Sequence, residues 1–244
     1  MANDKKRRVG ILTSGGDCPG LNAVIRGTVK SAERHGFETV GFIKGYEGLV
    51  DPVTYIPLNS QNTSGILNQG GTILSSTNKG RFAARIGVED RLDLDPKLLA
   101  GVKTTCDMLG LDGLICVGGD GSLAVAQQFH EYGIPVVGVP KTIDNDLGLN
   151  MQGDARRWER SDPERADSIH FRQRPHADVE PLDLEGIVNY VTPGYATAVF
   201  VAAGGVARVR TTAESHRRVA IIEVMGRHSG YIALGAAYGQ PDII

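Results

Sequence analysis

Three apolar runs in this chain end the same way, in a turn rich in glycine or charge. VGILTS (9–14) runs into SGGDCPG (14–20). GLICVGG (113–119) runs into VGGDGS (117–122), and IPVVGV (134–139) runs into PKTIDND (140–146). A near-continuous apolar run of this length reads as a strand covered on both faces, which is the environment of a parallel sheet. Parallel strands need crossover helices, and helical spacing follows the first two turns, over 20–35 and 121–132. In such a sheet the three turns gather along one edge, at the carboxyl ends of the strands, where ligands of open α/β folds bind.

Further segments fit the same alternation. ETVGFI (38–43) reads as a strand, 95–109 and 195–216 as helices, RVAIIEVMG (218–226) as a strand and 229–238 as a helix. The expected fold is therefore α/β: a Rossmann-like, three-layer parallel sheet with helices on both faces, followed by the start of a second, similar α/β domain. The expected organisation is a first domain over 1–146, a charged inserted loop over 147–186, and 187–244 as the beginning of a second domain, incomplete. Residues 151–185 hold 15 charged residues and three prolines, too polar for a core. They read as a mobile surface loop, or alternatively as an ordered lid or arm anchored by Trp158. Gly204-Gly205 inside the 195–216 helix implies either a kink or a closely packed backbone.

Composition limits the partners. The net charge of −2 gives no basic excess for nucleic acid, and no apolar run is long enough to span a membrane. Three sparse cysteines, Cys18, Cys106 and Cys116, suit a reduced, cytoplasmic setting. The 32 glycines point to tight turns and close backbone approach to a ligand.

Glycine turns at successive strand ends, with helix N-termini behind them, are phosphate cradles. Asp120, between two glycines, is a candidate ligand for a Mg²⁺ ion that bridges phosphates, or else the N-cap of the next helix. In GVPKTIDND, Asp144 is a candidate base for an acceptor hydroxyl, with Lys141 and Thr142 holding phosphoryl oxygens and Asp146 either orienting a side chain or taking part in metal binding through water. The alternative is an Asx-turn cluster beside a surface lysine. Arg227 in EVMGRHSG is a candidate for charge neutralisation, and backbone at Met225-Gly226 for a substrate hydroxyl. Arg217 and Arg218 read otherwise as a solvated turn, and Arg26 and Lys30 as an exposed helix face.

The motifs GILTSGGDCPGLNAVIRG, GYEGL, GGTIL, VGGDGS, PKTIDND and ESHRRVAIIEVMGRHSGYIAL, in this order, resemble those of phosphofructokinases. The resemblance spans all but the segment near 147–186. It implies phosphoryl transfer to the 1-hydroxyl of fructose 6-phosphate, in glycolysis. It implies that Gly16, Tyr46, Gly121, Ser122 and Leu123 lie along the donor, with a basic residue from the Lys79-Gly80-Arg81 stretch. Asp120 resembles the magnesium ligand. Thr142, Ile143 and Asp144 resemble substrate contacts, with Asp144 as catalytic base. Arg218 resembles the arginine that reaches the sugar phosphate of a neighbouring subunit, and Met225, Gly226 and Arg227 match the substrate-binding MGR. A homo-oligomer is the family's habit.

The family has ATP-using and pyrophosphate-using branches. Gly121 leaves room for the α-phosphate of ATP, where pyrophosphate enzymes typically carry Asp. Lys141 is typical of pyrophosphate enzymes and of an ATP-using branch related to them. ATP is the expected donor and pyrophosphate the alternative. The chain also departs from the pattern: the link after Asp146 is much longer, and the match stops inside the second domain, so the chain reads as truncated. A phosphate-binding regulatory or inactive protein is the non-enzymatic alternative.

Overall fold

The computed structural model describes residues 7–77, 80–82, 93–145, 156–160, 171–175, 191–226 and 229–244. Contacts divide the chain into two compact units, Met1–Ile143 and Asp144–Ile244.

The first unit holds a five-stranded sheet. Its strands are β1 (Arg7–Thr13), β2 (Phe37–Phe42), β3 (Tyr55–Leu58), β4 (Gly113–Gly118) and β5 (Val136–Pro140), in the order β3-β2-β1-β4-β5. β1 pairs in parallel with β2 and β4, and β4 with β5. β3 pairs antiparallel with β2, so the sheet is mixed rather than purely parallel. From β1 the chain first builds outward to β2 and β3, then returns to add β4 on the other side. That reversal makes the gap between β1 and β4 a topological switch point, where open α/β sheets bind ligands.

Side chains alternate between two cores. Leu12, Leu114 and Cys116 face one, together with Val102 and Cys106 of α2 (Pro96–Leu109) and Val125 and Phe129 of α3 (Asp120–Glu131). Ile11 and Val117 face the other, with Leu21, Ile25 and Val29 of α1 (Leu21–Arg34). Strands covered on both faces explain the uninterrupted apolar runs. The helices begin differently. Asp95 caps α2, accepting the Lys97 N–H at 2.8 Å, with Pro96 as first residue and left-handed Gly110 at its end. α1 and α3 follow Gly20 and Gly119, and neither has a side-chain cap.

In the second unit the described strands are β6 (Arg156–Arg160) and β7 (Phe171–Pro175), an antiparallel pair with Trp158 opposite Gln173. Part of the segment read as a loop thus has a paired backbone; the remainder lies outside the described residues. α4 (Tyr195–His216) packs against α5 (Tyr231–Gly235) and the 3-10 turn Ala236–Gly239. Gly235 and Gly239 permit this: a Cβ on either would lie within 2.6 Å of Val199 or of the Ala203 carbonyl.

α4 runs on through Gly204 and Gly205, and nothing lies within 4 Å of a Cβ at either, so neither glycine serves a closely packed backbone. Gly204→Ala and Gly205→Ala are each expected to raise unfolding free energy by about 0.5–1 kcal/mol, read by urea denaturation.

RVAIIEVMG is not a strand: residues 218–226 have no regular structure, and Val219 and Ile221 are over nine-tenths exposed. A strand exists through its ladder partners, and among the described residues none lies alongside. No helix among the described residues is long and apolar enough to cross a membrane.

Candidate phosphate cradle and catalytic turn

The turn after β1 is held from three directions. Ser14 N–H donates to the Val117 carbonyl of β4 at 2.9 Å. The stretch 72–77 straps it from one side: Thr13 Oγ1 bonds Thr72 Oγ1 at 2.9 Å, Gly15 N–H reaches the Thr77 carbonyl at 3.3 Å, and Ser76 Oγ donates to the Gly15 carbonyl at 2.7 Å. The strap is itself fixed by the buried Asn22 of α1, whose Oδ1 accepts Ile73 N–H at 2.9 Å. From β5, Lys141 Nζ donates to the Gly16 carbonyl. These bonds occupy the carbonyls of both glycines and leave the Gly16 N–H without a partner among the described residues.

Lys141 joins the three strand ends. Its own N–H bonds the Gly118 carbonyl at 2.9 Å, while its ammonium lies at the β1 turn. The side chain is buried, and burial pushes its pKa below the ordinary lysine value, against the opposing pull of Cys18 and Asp17. A buried ammonium bound to one carbonyl has further donors to offer an anion.

Gly15 sits at φ +86°, which glycine favours, and a Cβ there would lie 3.4 Å from Ser122 Oγ and 3.5 Å from Lys141 Nζ. The space shared by the β1 turn, the first turn of α3 and Lys141 thus stays open because Gly15 has no side chain. Gly16 is exposed, with nothing within 4 Å of a Cβ. The uncapped first turns of α1 and α3 add N–H groups and positive dipole ends, so this arrangement fits phosphate. Asp120 is the first residue of α3 and exposed; Gly119 is the N-cap, which removes the capping alternative for the aspartate. One carboxylate beside a phosphate cradle fits Mg²⁺, which takes one or two carboxylates plus phosphate oxygens.

Gly121, Ser122 and Leu123 complete the first turn of α3, where Leu123 N–H closes on the Gly119 carbonyl at 2.9 Å. Tyr46 lies behind that turn: it is 2% exposed, and its hydroxyl donates to the Ser122 carbonyl at 2.6 Å. Arg81 is engaged by Glu47, through its N–H at 2.6 Å and Nε at 2.9 Å. Gly80 packs on the same carboxylate, where a Cβ would collide. Lys79, Asp146 and Arg227 lie outside the described residues. Arg26 is more than an exposed face, since its Nη1 donates to the Thr63 carbonyl at 2.6 Å.

Thr142 and Ile143 end the first unit, half-buried, and Asp144 opens the second. The Asp144 carbonyl accepts Ser229 Oγ at 2.5 Å. Asn145 adopts φ 55°, and its buried Oδ1 accepts the Thr192 N–H at 3.0 Å. Gly226 has φ +148°, and its carbonyl accepts Ser229 N–H at 2.7 Å, so Ser229 ties the MGR turn to Asp144. Met225 and Arg218 are exposed. Sequence reasoning missed Asn145, Ser229 and the Thr72–Thr77 strap. Asn is tolerated in left-handed turns, which was a usable signal for Asn145; nothing local marks the others.

The family model described as Phosphofructokinase matches residues 8–151 and 183–244. The ATP-dependent 6-phosphofructokinase of Chloroflexus aggregans is 42% identical over 241 residues, covering 98% of this chain and 56% of that protein. The pyrophosphate–fructose 6-phosphate 1-phosphotransferase of Amycolatopsis methanolica is 40% identical over 232 residues, covering 94% of this chain and 52% of that protein. Among solved structures, phosphofructokinase from Saccharomyces cerevisiae superposes with a TM-score of 0.68 at 25% identity, covering 95% of this chain and 28% of that one. The chain thus spans about half the length of the curated relatives it matches. Since the matched residues include every glycine turn that builds the cradle and both sides of the inserted segment, the chain belongs to the phosphofructokinase family.

Proposed function

We propose that this chain takes part in transfer of the γ-phosphoryl group of ATP to the 1-hydroxyl of fructose 6-phosphate, giving fructose 1,6-bisphosphate and ADP. The observation that carries the reading is the convergence of the Gly15-Gly16 turn, Ser122 and Lys141 at the switch point of the sheet. The acceptor oxygen forms the new bond to γ-phosphorus, the bond from that phosphorus to the β–γ bridging oxygen breaks, and the acceptor proton goes to Asp144. Lys141 and Thr142 hold phosphoryl oxygens, and Arg227 stabilises the charge in transit. Met225 and Gly226 bind the sugar, and Arg218 serves the sugar phosphate of a neighbouring copy in a homo-oligomer. Asp120 would hold Mg²⁺, which would neutralise charge on the phosphates. We place the protein in the cytoplasm, in keeping with three buried cysteines that form no disulfide.

Pyrophosphate is the second reading for the donor, favoured by Lys141 standing in the cradle. Gly121→Asp separates the two. At about 5 Å and an effective dielectric near 20, two like charges repel by about 3 kcal/mol. Calorimetric titration with Mg²⁺ present is expected to show ATP affinity falling about a hundredfold in that variant, with a smaller change for pyrophosphate. Equal affinity of wild type and variant for ATP would contradict ATP as the donor.

A further inference from the structure

Tyr46 belongs to GYEGL, a motif whose resemblance puts the tyrosine near the nucleotide. Its actual surroundings suggest another job. The ring is buried between Phe82, at a centroid distance of 5.6 Å, and Phe129, edge-on at 5.3 Å. Phe129 lies on α3, the helix whose first turn carries Asp120, Gly121 and Ser122. The hydroxyl reaches past the ring and donates to the Ser122 carbonyl. Tyr46 therefore grips α3 at two places, its N-terminal turn and a point two turns on.

The preceding residue grips the other side of the cradle. Gly45, at φ +64°, is so close to the end of β1 that a Cβ would lie 3.0 Å from the Thr13 carbonyl and 3.4 Å from Ser14 Cβ. Two consecutive residues of the 3-10 turn Gly45–Leu49 thus touch the β1 turn and the α3 turn. These are the turns that leave 3.4 Å between a Gly15 Cβ position and Ser122 Oγ.

We infer that Tyr46 is a positioning residue: through its hydrogen bond to Ser122 it sets the first turn of α3 against the β1 turn, without touching the donor itself. This rests on the donor-binding reading above for its functional consequence, though not for its geometry. Burial, together with Cys116 beside the hydroxyl, raises the phenol pKa well above its ordinary value. The group therefore stays a donor throughout the neutral range.

Tyr46→Phe keeps the ring and removes only the hydroxyl. A neutral hydrogen bond of ordinary net worth corresponds to about a fivefold effect. Amide hydrogen exchange over 123–126, the first bonded amides of α3 and the ones that close on its first turn, is expected to quicken about fivefold in this variant in the ligand-free chain, with β1 and β4 unchanged. The dissociation constant for Mg-ATP should rise by a similar factor, about fivefold. Phe82→Leu loosens the same aromatic cluster and spares the hydroxyl; it should lower the thermal midpoint and leave exchange at 123–126 and donor affinity as they were. Unchanged exchange at 123–126 in Tyr46→Phe would overturn the inference. So would quickening spread evenly over β1, β4 and α3, the mark of a merely structural role. A wild-type chain that binds neither ATP nor pyrophosphate would count against the proposed function, while the exchange comparison would still decide what Tyr46 does.

Discussion

Asp144→Asn is expected to lower the rate of bisphosphate formation by about a hundred- to ten-thousandfold, the usual worth of a positioned general base. Donor affinity should stay within about twofold, because base and donor cradle are built from different residues. The turn around Asp144 is pinned through main chain and neighbours, by Ser229 Oγ on the Asp144 carbonyl and by Asn145 Oδ1 on the Thr192 N–H. An isosteric amide at 144 therefore changes the chemistry and leaves the turn in place. Steady-state rates with paired nucleotide titrations check this. A parallel loss of nucleotide binding would show that Asp144 holds the donor rather than the acceptor proton.

Gly118→Ala is expected to destabilise the first unit by about 1–3 kcal/mol, as overpacking does, and to abolish donor binding with it. A Cβ at 118 would lie 2.2 Å from Ser122 Cβ and 3.3 Å from the Ser14 carbonyl. Neither can give way cheaply: Ser122 Cβ moves only with the first turn of α3, and Ser14 is tied to β4. Gly16→Ala makes the contrast. Nothing lies within 4 Å of a Cβ there, so its stability should match wild type within about 0.5 kcal/mol, while on the proposed function the added methyl would crowd the donor phosphates and weaken nucleotide binding. Urea midpoints with nucleotide titrations separate the two glycines. Equal stability of the Gly118→Ala variant and wild type would contradict the close packing of β4 against α3.

Much of the first unit was legible because its strands are covered on both faces and its helices carry one apolar stripe. The reading of 195–216 as a helix likewise matches α4, Tyr195–His216. What escaped has particular causes. β3 is four residues long, lies at the sheet edge and contains Pro57, so it carries little strand signal. β6 and β7, RRWER and FRQRP, lack the apolar alternation that marks a strand. RVAIIEVMG has a strong strand pattern and yet forms none, since pairing is a property of neighbours rather than of the segment.

The site divides in the same way. The glycine turns and Lys141 announce themselves by composition at strand ends. Tyr46 could be flagged by motif, but its burial behind α3 depends on contacts 76 residues apart. The hold of Asn145 on Thr192 bridges 47 residues, across the inserted segment, and no local pattern encodes it.

The most direct test is formation of fructose 1,6-bisphosphate by the purified chain, given fructose 6-phosphate and Mg²⁺ with either ATP or pyrophosphate. Product with ATP, lost in Asp144→Asn, is the predicted result. Folded protein that binds nucleotide yet yields no bisphosphate with either donor would contradict phosphoryl transfer by this chain and leave a phosphate-binding protein in its place.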